Sequence, residues 1–508
     1  MLESQVRETY EYAPERSEAP FAALFSGLGQ PAKLYSNPDD WQFLMINFCN
    51  DLEGADAWIA DSGYNWFSVC GELSSRNANY RNPYIRYRTP YNLIGDVNTF
   101  LNGFDEETAT GAALNMIGQA KALRAFAYLN LAPYFQFNYQ IAKDQPCIPI
   151  ILPTTEDFTN NPRATVGEVY DIIIDDLNSA IEILEKAPVT RQTKAYINAD
   201  VAHGLRARAF LEMGMWQNAY DDAVAAAKDY TPATRAEVSK PAFMDISEHN
   251  WIWGYDMTTA MAQAYSYATT SAWLRSFSGD GYAPACQVYT CINNLLWEKI
   301  PASDIRKQWW VDENLESTLL DGLAWPGFDD VAHADDGGDS KMPFTPYTNV
   351  KFGCYTVGTV LNDEDMPLMR VEEMLLIQAE CQAHLGNTSA AEKILVDFVK
   401  QNRDPEYTVN GRGLTLLDEI WFQRRVELWG EGFYVRDMQR LNKPLVRFHD
   451  ESSNVPTAFR FNLAANDPWR LLRFPQGEMN TNFAIVDNTG GHQPVIDEGK
   501  DLRDGVTD

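Results

Sequence analysis

Charged side chains crowd the stretch RRVELWGEGFYVRDMQR at residues 424–440, where four arginines, two glutamates and an aspartate alternate with large hydrophobes. Acid–base catalysis, a ligand clamp or a buried ionic strut would each use such residues. Arg424, Glu427 and Glu431 follow one another at three- and four-residue steps, and Asp437 and Arg440 are three apart, spacings that pair charges along a helix. Leu428, Trp429, Phe433 and Met438 interleave with them. Charges persist among such hydrophobes when they are paired, so the stretch is expected to be a strut. Other catalytic patterns are missing. The six histidines are scattered, and no phosphate-binding glycine loop, zinc-protease helix or serine nucleophile elbow occurs. No catalytic residue, metal ligand or cofactor is expected. The acidic loop FDDVAHADDGGD at 328–339 lacks the spacing of a calcium-binding helix-loop-helix and reads as solvated.

The formal net charge of −30 repels phosphate backbones, so nucleic acid is not an expected partner. RNANYRNPYIRYR at 76–88 carries four arginines, but its second half reads into a helix. Seven cysteines without a paired spacing indicate neither a zinc site nor a disulfide framework.

Aromatic residues divide by context. Trp41 shares a helical face with Leu44, Phe48 and Leu52, and Trp251 and Trp253 share one face of a strand at 250–256. Trp297, Trp421 and Trp429 lie in helical patterns and are expected to pack. Tyr64, Asn65, Trp66, Tyr80, Trp273, Tyr282 and Trp325 lie in glycine-rich or polar loops. An exposed ring beside amides and hydroxyls suits a sugar, whose apolar C–H face packs on the ring while its hydroxyls find hydrogen bonds. These seven are the candidate glycan-binding residues, with Trp66 expected to matter more to the ligand than Trp297.

The elements that must position these residues are mostly helical. VYDIIIDDLNSAIEILEKA at 169–187 carries an apolar stripe, and Thr165 with Glu168 has capping-box spacing. Ala207, Gly214 and Ala219 recur in the same spacing as Ala379, Gly386 and Ala391, the pattern of a tetratricopeptide-type helical hairpin. Helical repeats are expected at about 85–136, 165–230 and 366–442, around a loop-rich insertion at 231–365 and before an irregular region at 443–508.

Several strings together resemble the SusD/RagB family: YNLIGDVNTFL (91–101), GQAKALRAFAYLNL (118–131), RQTKAYINADVAHGLRARAFL (191–211), RVEEMLLIQAEC (370–381), the 424–440 string and LLRFPQGEM (471–479). Gln423, Tyr434 and Pro133 depart from the family pattern. The resemblance implies a mostly α fold in one domain, with four tetratricopeptide-like helix pairs supporting a loop-rich region. It implies a cell-surface, lipid-anchored, non-catalytic protein that captures an oligosaccharide or polysaccharide for a SusC-like TonB-dependent outer-membrane transporter. It places glycan contacts in 58–84 and 270–330, with the export signal and anchor cysteine trimmed from this chain. A repeat scaffold without a sugar site and an all-helical glycoside hydrolase are the alternatives.

Overall fold

The computed structural model describes residues 3–30, 37–59, 66–264, 269–278, 286–338 and 341–508. Tyr64, Asn65 and Tyr282 lie outside the described residues. Helix accounts for 46% and strand for 6% of the chain, the mostly α composition expected. Two compact units partition it: Met1–Gln30, Ser75–Lys228 and Asp467–His492 form one, and Pro31–Ser74, Asp229–Asn466 and Gln493–Asp508 form the other.

The first unit is a row of helices, α1 (Arg81–Leu101), α2 (Gly111–Phe135), α3 (Val166–Lys186), α4 (Ala199–Met213) and α5 (Trp216–Ala227), each packed on the next. The Thr165 hydroxyl accepts from the Glu168 N–H, and Glu168 accepts from the Thr165 N–H, so the capping box forms as its spacing predicts. Gly214 turns the chain between α4 and α5 at φ +73°, and the alanines beside it, Ala207 and Ala219, are fully buried. Residues shared with the family pattern serve the fold here. Tyr91 donates to the Pro149 carbonyl, Asn98 to the Ile151 carbonyl, and Arg124 pairs with Asp176 at 2.7 Å. Arg76, beside the loops expected to hold ligand, is buried and donates to the Trp469 and Arg470 carbonyls. Pro133 does not interrupt α2, which runs on to Phe135, because Tyr134 and Phe135 are buried and hold the last turn.

The second unit combines a helical part with the insertion. Four of its helices are α6 (Val371–His384), α7 (Thr388–Leu395), α8 (Leu416–Glu427) and α9 (Tyr434–Arg440). Leu376, Ala379, Leu395, Phe398, Val399 and Ile420 form their apolar core. Gly386, at φ +80°, turns α6 into α7. Two short antiparallel sheets support the insertion: β1 (Ala57–Ile59) pairs with β3 (Thr290–Ile292), and β2 (Trp251–Tyr255) pairs with β4 (Met366–Arg370). The strand expected at 250–256 is therefore β2.

The 424–440 string is a buried strut, with a correction to its pairing. Arg424 does not pair with Glu427 or Glu431; it binds Asp437 at 2.8 Å. Glu431 leaves the helical register because the chain breaks after α8, where Gly430 and Gly432 take φ of +82° and +88°, and Glu427, still within α8, is taken by arginines from other segments. Glu427 instead meets Arg403 (2.9 Å), Arg370 (3.2 Å) and Arg306 (3.4 Å), and Glu431 meets Arg370 (2.8 Å) and Lys351 (2.7 Å). Arg425 binds Asp56 and Asp504. The expected pair three residues apart, Asp437 with Arg440, forms at 2.9 Å.

Candidate functional site

The insertion of the second unit carries an open cleft of about 720 Å³. Three segments build its walls. The first begins at β3, whose end is pinned by Asn293, donating to the Ala55 and Arg447 carbonyls. A short helix, Asn294–Glu298, follows and brings half-buried Trp297 to the cleft. The second is a tight turn, Ile305–Trp309, capped by the Asp304 carboxylate, which accepts from the Arg306 N–H at 2.9 Å. It supplies Lys307 and Gln308.

Trp297 and Lys307 clamp each other. The indole N–H donates to the Lys307 carbonyl at 3.2 Å, the lysine ammonium donates to the Trp297 and Ile300 carbonyls, and that ammonium lies 3.9 Å from the ring centroid. Tyr347 meets the same ring edge-on at 5.3 Å. Burial lowers the Lys307 pKa, against the opposing charges of Glu298 and Asp304.

Loop 312–323 forms the rest of the second segment. One Asp312 carboxylate oxygen accepts from the N–H groups of Asn314 and Glu316, which holds Leu315 at φ +65° in the cleft wall. Gln308 accepts from the Thr318 N–H, and Ser317 donates to the Gln308 carbonyl, so the loop is tied to the turn. The third segment, Asp329 to His333, is closed by Trp325, whose indole N–H donates to the Val331 carbonyl at 2.8 Å. Five carboxylates line the cleft, from Asp312, Glu316, Asp321, Asp329 and Asp330, with Lys307 and His333 as the cationic or titratable partners. Such a wall accepts hydrogen bonds from hydroxyls beside one aromatic plate. Among the described residues no cluster of His, Cys, Asp or Glu is arranged to hold a metal ion.

The expected ligand residues are distributed unevenly. Trp273 and Trp325 are corrections to the exposed-ring expectation, at 0% and 1% exposure. Trp273 packs edge-on against Phe67 at 5.0 Å, and Trp325 lies under its own loop with Lys341 over its ring. Trp66 keeps part of its surface exposed, and Tyr80, in the first unit, is 49% exposed. Whereas Trp310, also in the lining, is buried, Trp297, expected to pack, lines the cleft with its ring half-exposed. Its five-residue helix imitates a packing pattern, and only the half-exposed ring distinguishes it from Trp421 and Trp429, which are buried as expected.

Comparison with known proteins follows the same division. A family model described as starch-binding associating with outer membrane matches residues 28–211, and the SusD family model matches 332–490. Residues 212–331, which carry most of the cleft, fall between the two matches. No curated protein matches the chain. A SusD-like carbohydrate-binding protein from Bacteroides vulgatus aligns at 24% identity with a TM-score of 0.73, over 93% of this chain and 97% of that one. A surface glycan-binding protein A from Bacteroides thetaiotaomicron, solved with laminarihexaose, aligns at 16% identity and a TM-score of 0.66, over 93% and 99%. A SusD superfamily protein of Bacteroides vulgatus gives a TM-score of 0.74 at 17% identity, over 94% and 99%. These likenesses share the fold, and the two family models together match α1–α3, nearly all of α4, and α6–α9. The chain belongs to the SusD/RagB family.

Proposed function

We propose that the protein captures an oligosaccharide in the Trp297 cleft and passes it to a TonB-dependent outer-membrane transporter, from a lipid-anchored position on the cell surface. The observation that carries the capture reading is the cleft itself: a rigidly held indole beside carboxylates, an amide and hydroxyls, the mixture that a sugar ring uses. Family membership supports the transporter and the anchor. The strut at 424–440 supports a binding role over a catalytic one, because Glu427, Glu431, Arg424, Arg425, Asp437 and Arg440 are each held in ion pairs inside the fold. Trp66 and Tyr80 keep exposed surface and stay candidates for glycan contact in their own right.

Affinity electrophoresis through gels carrying neutral and amino-substituted polysaccharides, with released sugar measured in parallel, tests the reading. Retardation without hydrolysis is expected. Trp297→Ala should weaken it by about tenfold, the loss of one ring contact worth roughly 1.4 kcal/mol, and by more than Trp66→Ala does. Circular dichroism establishes that each variant is folded. Retardation that survives Trp297→Ala but not Trp66→Ala moves the site to 58–84, and sugar release assigns a hydrolase.

A further inference from the structure

Several donors in the cleft wall are already spent. The Trp297 indole N–H goes to the Lys307 carbonyl, the Lys307 ammonium to the Trp297 and Ile300 carbonyls, and the Ser317 hydroxyl to the Gln308 carbonyl. The Gln308 side chain differs. Its Oε1 accepts from the Thr318 N–H at 2.9 Å, which fixes the amide, because the opposite orientation would set its NH2 group against another donor. Nε2 is therefore the end left over; it makes no hydrogen bond to a described residue, and it is not buried. Both of its N–H groups are available to a ligand. Position adds to orientation. Gln308 follows Lys307, which is tied to Trp297 through both its carbonyl and its ammonium, on the turn Ile305–Trp309 that Asp304 caps. The indole and the amide thus stand on one corner of the cleft, held by the same set of hydrogen bonds.

Resting on the capture reading above, we propose that Gln308 determines how the sugar lies on Trp297: its amide N–H groups donate to an oxygen of the sugar unit that the indole holds. With Oε1 spent, Gln308 offers donors alone, while the ionised carboxylates of the wall offer acceptors alone. A hydroxyl group accepts and donates at once, so a free sugar hydroxyl is the group that answers both.

Calorimetric titration of the full chain with maltohexaose, laminarihexaose and cellohexaose tests the donor directly. Gln308→Glu keeps the size of the side chain and an oxygen for the Thr318 N–H, but at neutral pH it has no proton to donate. It should bind about tenfold more weakly than the parent, with one hydrogen bond lost and the ligand oxygen set against an acceptor. At pH 4.5, near the ordinary glutamate value of about 4.3, the substituted carboxyl regains a proton, and the deficit should shrink to about threefold or less. Titration of the other cleft carboxylates acts on parent and variant alike and cancels in that ratio. Gln308→Met has no proton to regain and should show the same deficit at both pH values. Circular dichroism establishes that each variant is folded. Parent-like binding by Gln308→Glu at neutral pH, or a deficit that pH 4.5 leaves unchanged, overturns the inference, since a mere tie to Thr318 is indifferent to the donor. If Trp297→Ala weakens hexaose binding while the Gln308 variants bind as the parent does, the inference falls and the capture site stands. If no hexaose binds the parent, or binding ignores both Trp297 and Gln308, both fall.

Discussion

Glu427 is fully buried among Arg306, Arg370 and Arg403, and Glu431 lies between Arg370 and Lys351. With Asp304 and Glu372 added, four carboxylates face four cations, and the assembly is neutral. Replacing one member leaves its partners charged and buried without compensation. Glu427→Gln should therefore cost about 3–5 kcal/mol in urea unfolding. Burial pushes the Glu427 and Glu431 carboxyls up, but the surrounding guanidinium and ammonium charges outweigh it and hold both below the usual glutamate value. Their contribution is complete above the unfolded value of about 4.5 and is lost as pH falls through the lower folded values. The variant should accordingly lose part of the acid-side dependence of stability that the parent shows below pH 4.5. A parent whose stability stays flat through that range would contradict the assignment. The strut was legible from its own residues, because hydrophobes interleaved with both signs of charge imply burial with pairing. Its partners were not legible. Residues 306, 351, 370, 372 and 403 meet it from remote parts of the chain, and helical spacing reports only neighbours.

At the scale of elements, legibility follows local chemistry. The capping box before α3, the strand at 250–256 and the two alanine–glycine hairpins depend on residues within a turn of one another, and all form as their spacing implies. Gly386 and Gly430 separate two reasons for a glycine. Both take a left-handed conformation, φ +80° and +82°. A Cβ at Gly386 would meet nothing within 4 Å, whereas one at Gly430 would lie 2.5 Å from the Phe352 ring. Gly386→Ala should therefore cost about 1–2 kcal/mol from backbone conformation alone. Gly430→Ala should add roughly 1–3 kcal/mol of overpacking. Thermal unfolding of the two variants tests the difference, and equal shifts would show that Phe352 moves aside without cost. Trp325 and Trp297 exchanged their expected roles for a reason of the same kind. A tryptophan in a glycine-rich loop can close that loop by bonding its own carbonyl, as Trp325 does with Val331, and a short helix can present its ring outward. Loop composition distinguishes neither.

For the whole molecule, charge sets the ligand classes that are accessible. The two family models leave residues 212–331 unmatched, and the chemistry of the cleft is read from its own side chains. Those side chains have the same sign as the chain's net −30, so the local and global fields act together. At low ionic strength the screening length reaches about 30 Å at 0.01 M, long enough for the whole surface to act on an approaching polymer. Polyuronates and sulfated polysaccharides should therefore leave the protein's mobility unchanged in affinity gels at about 0.01 M salt, where repulsion is strongest. Raising salt toward 0.15 M contracts that length to about 8 Å and removes the long-range barrier, but the cleft carboxylates would still oppose an anionic chain at contact. Retardation by a polyanion at low salt, weakening as salt rises, would require a cationic surface strong enough to overcome both fields. That outcome would detach ligand choice from the Trp297 cleft and assign it to another surface of the molecule.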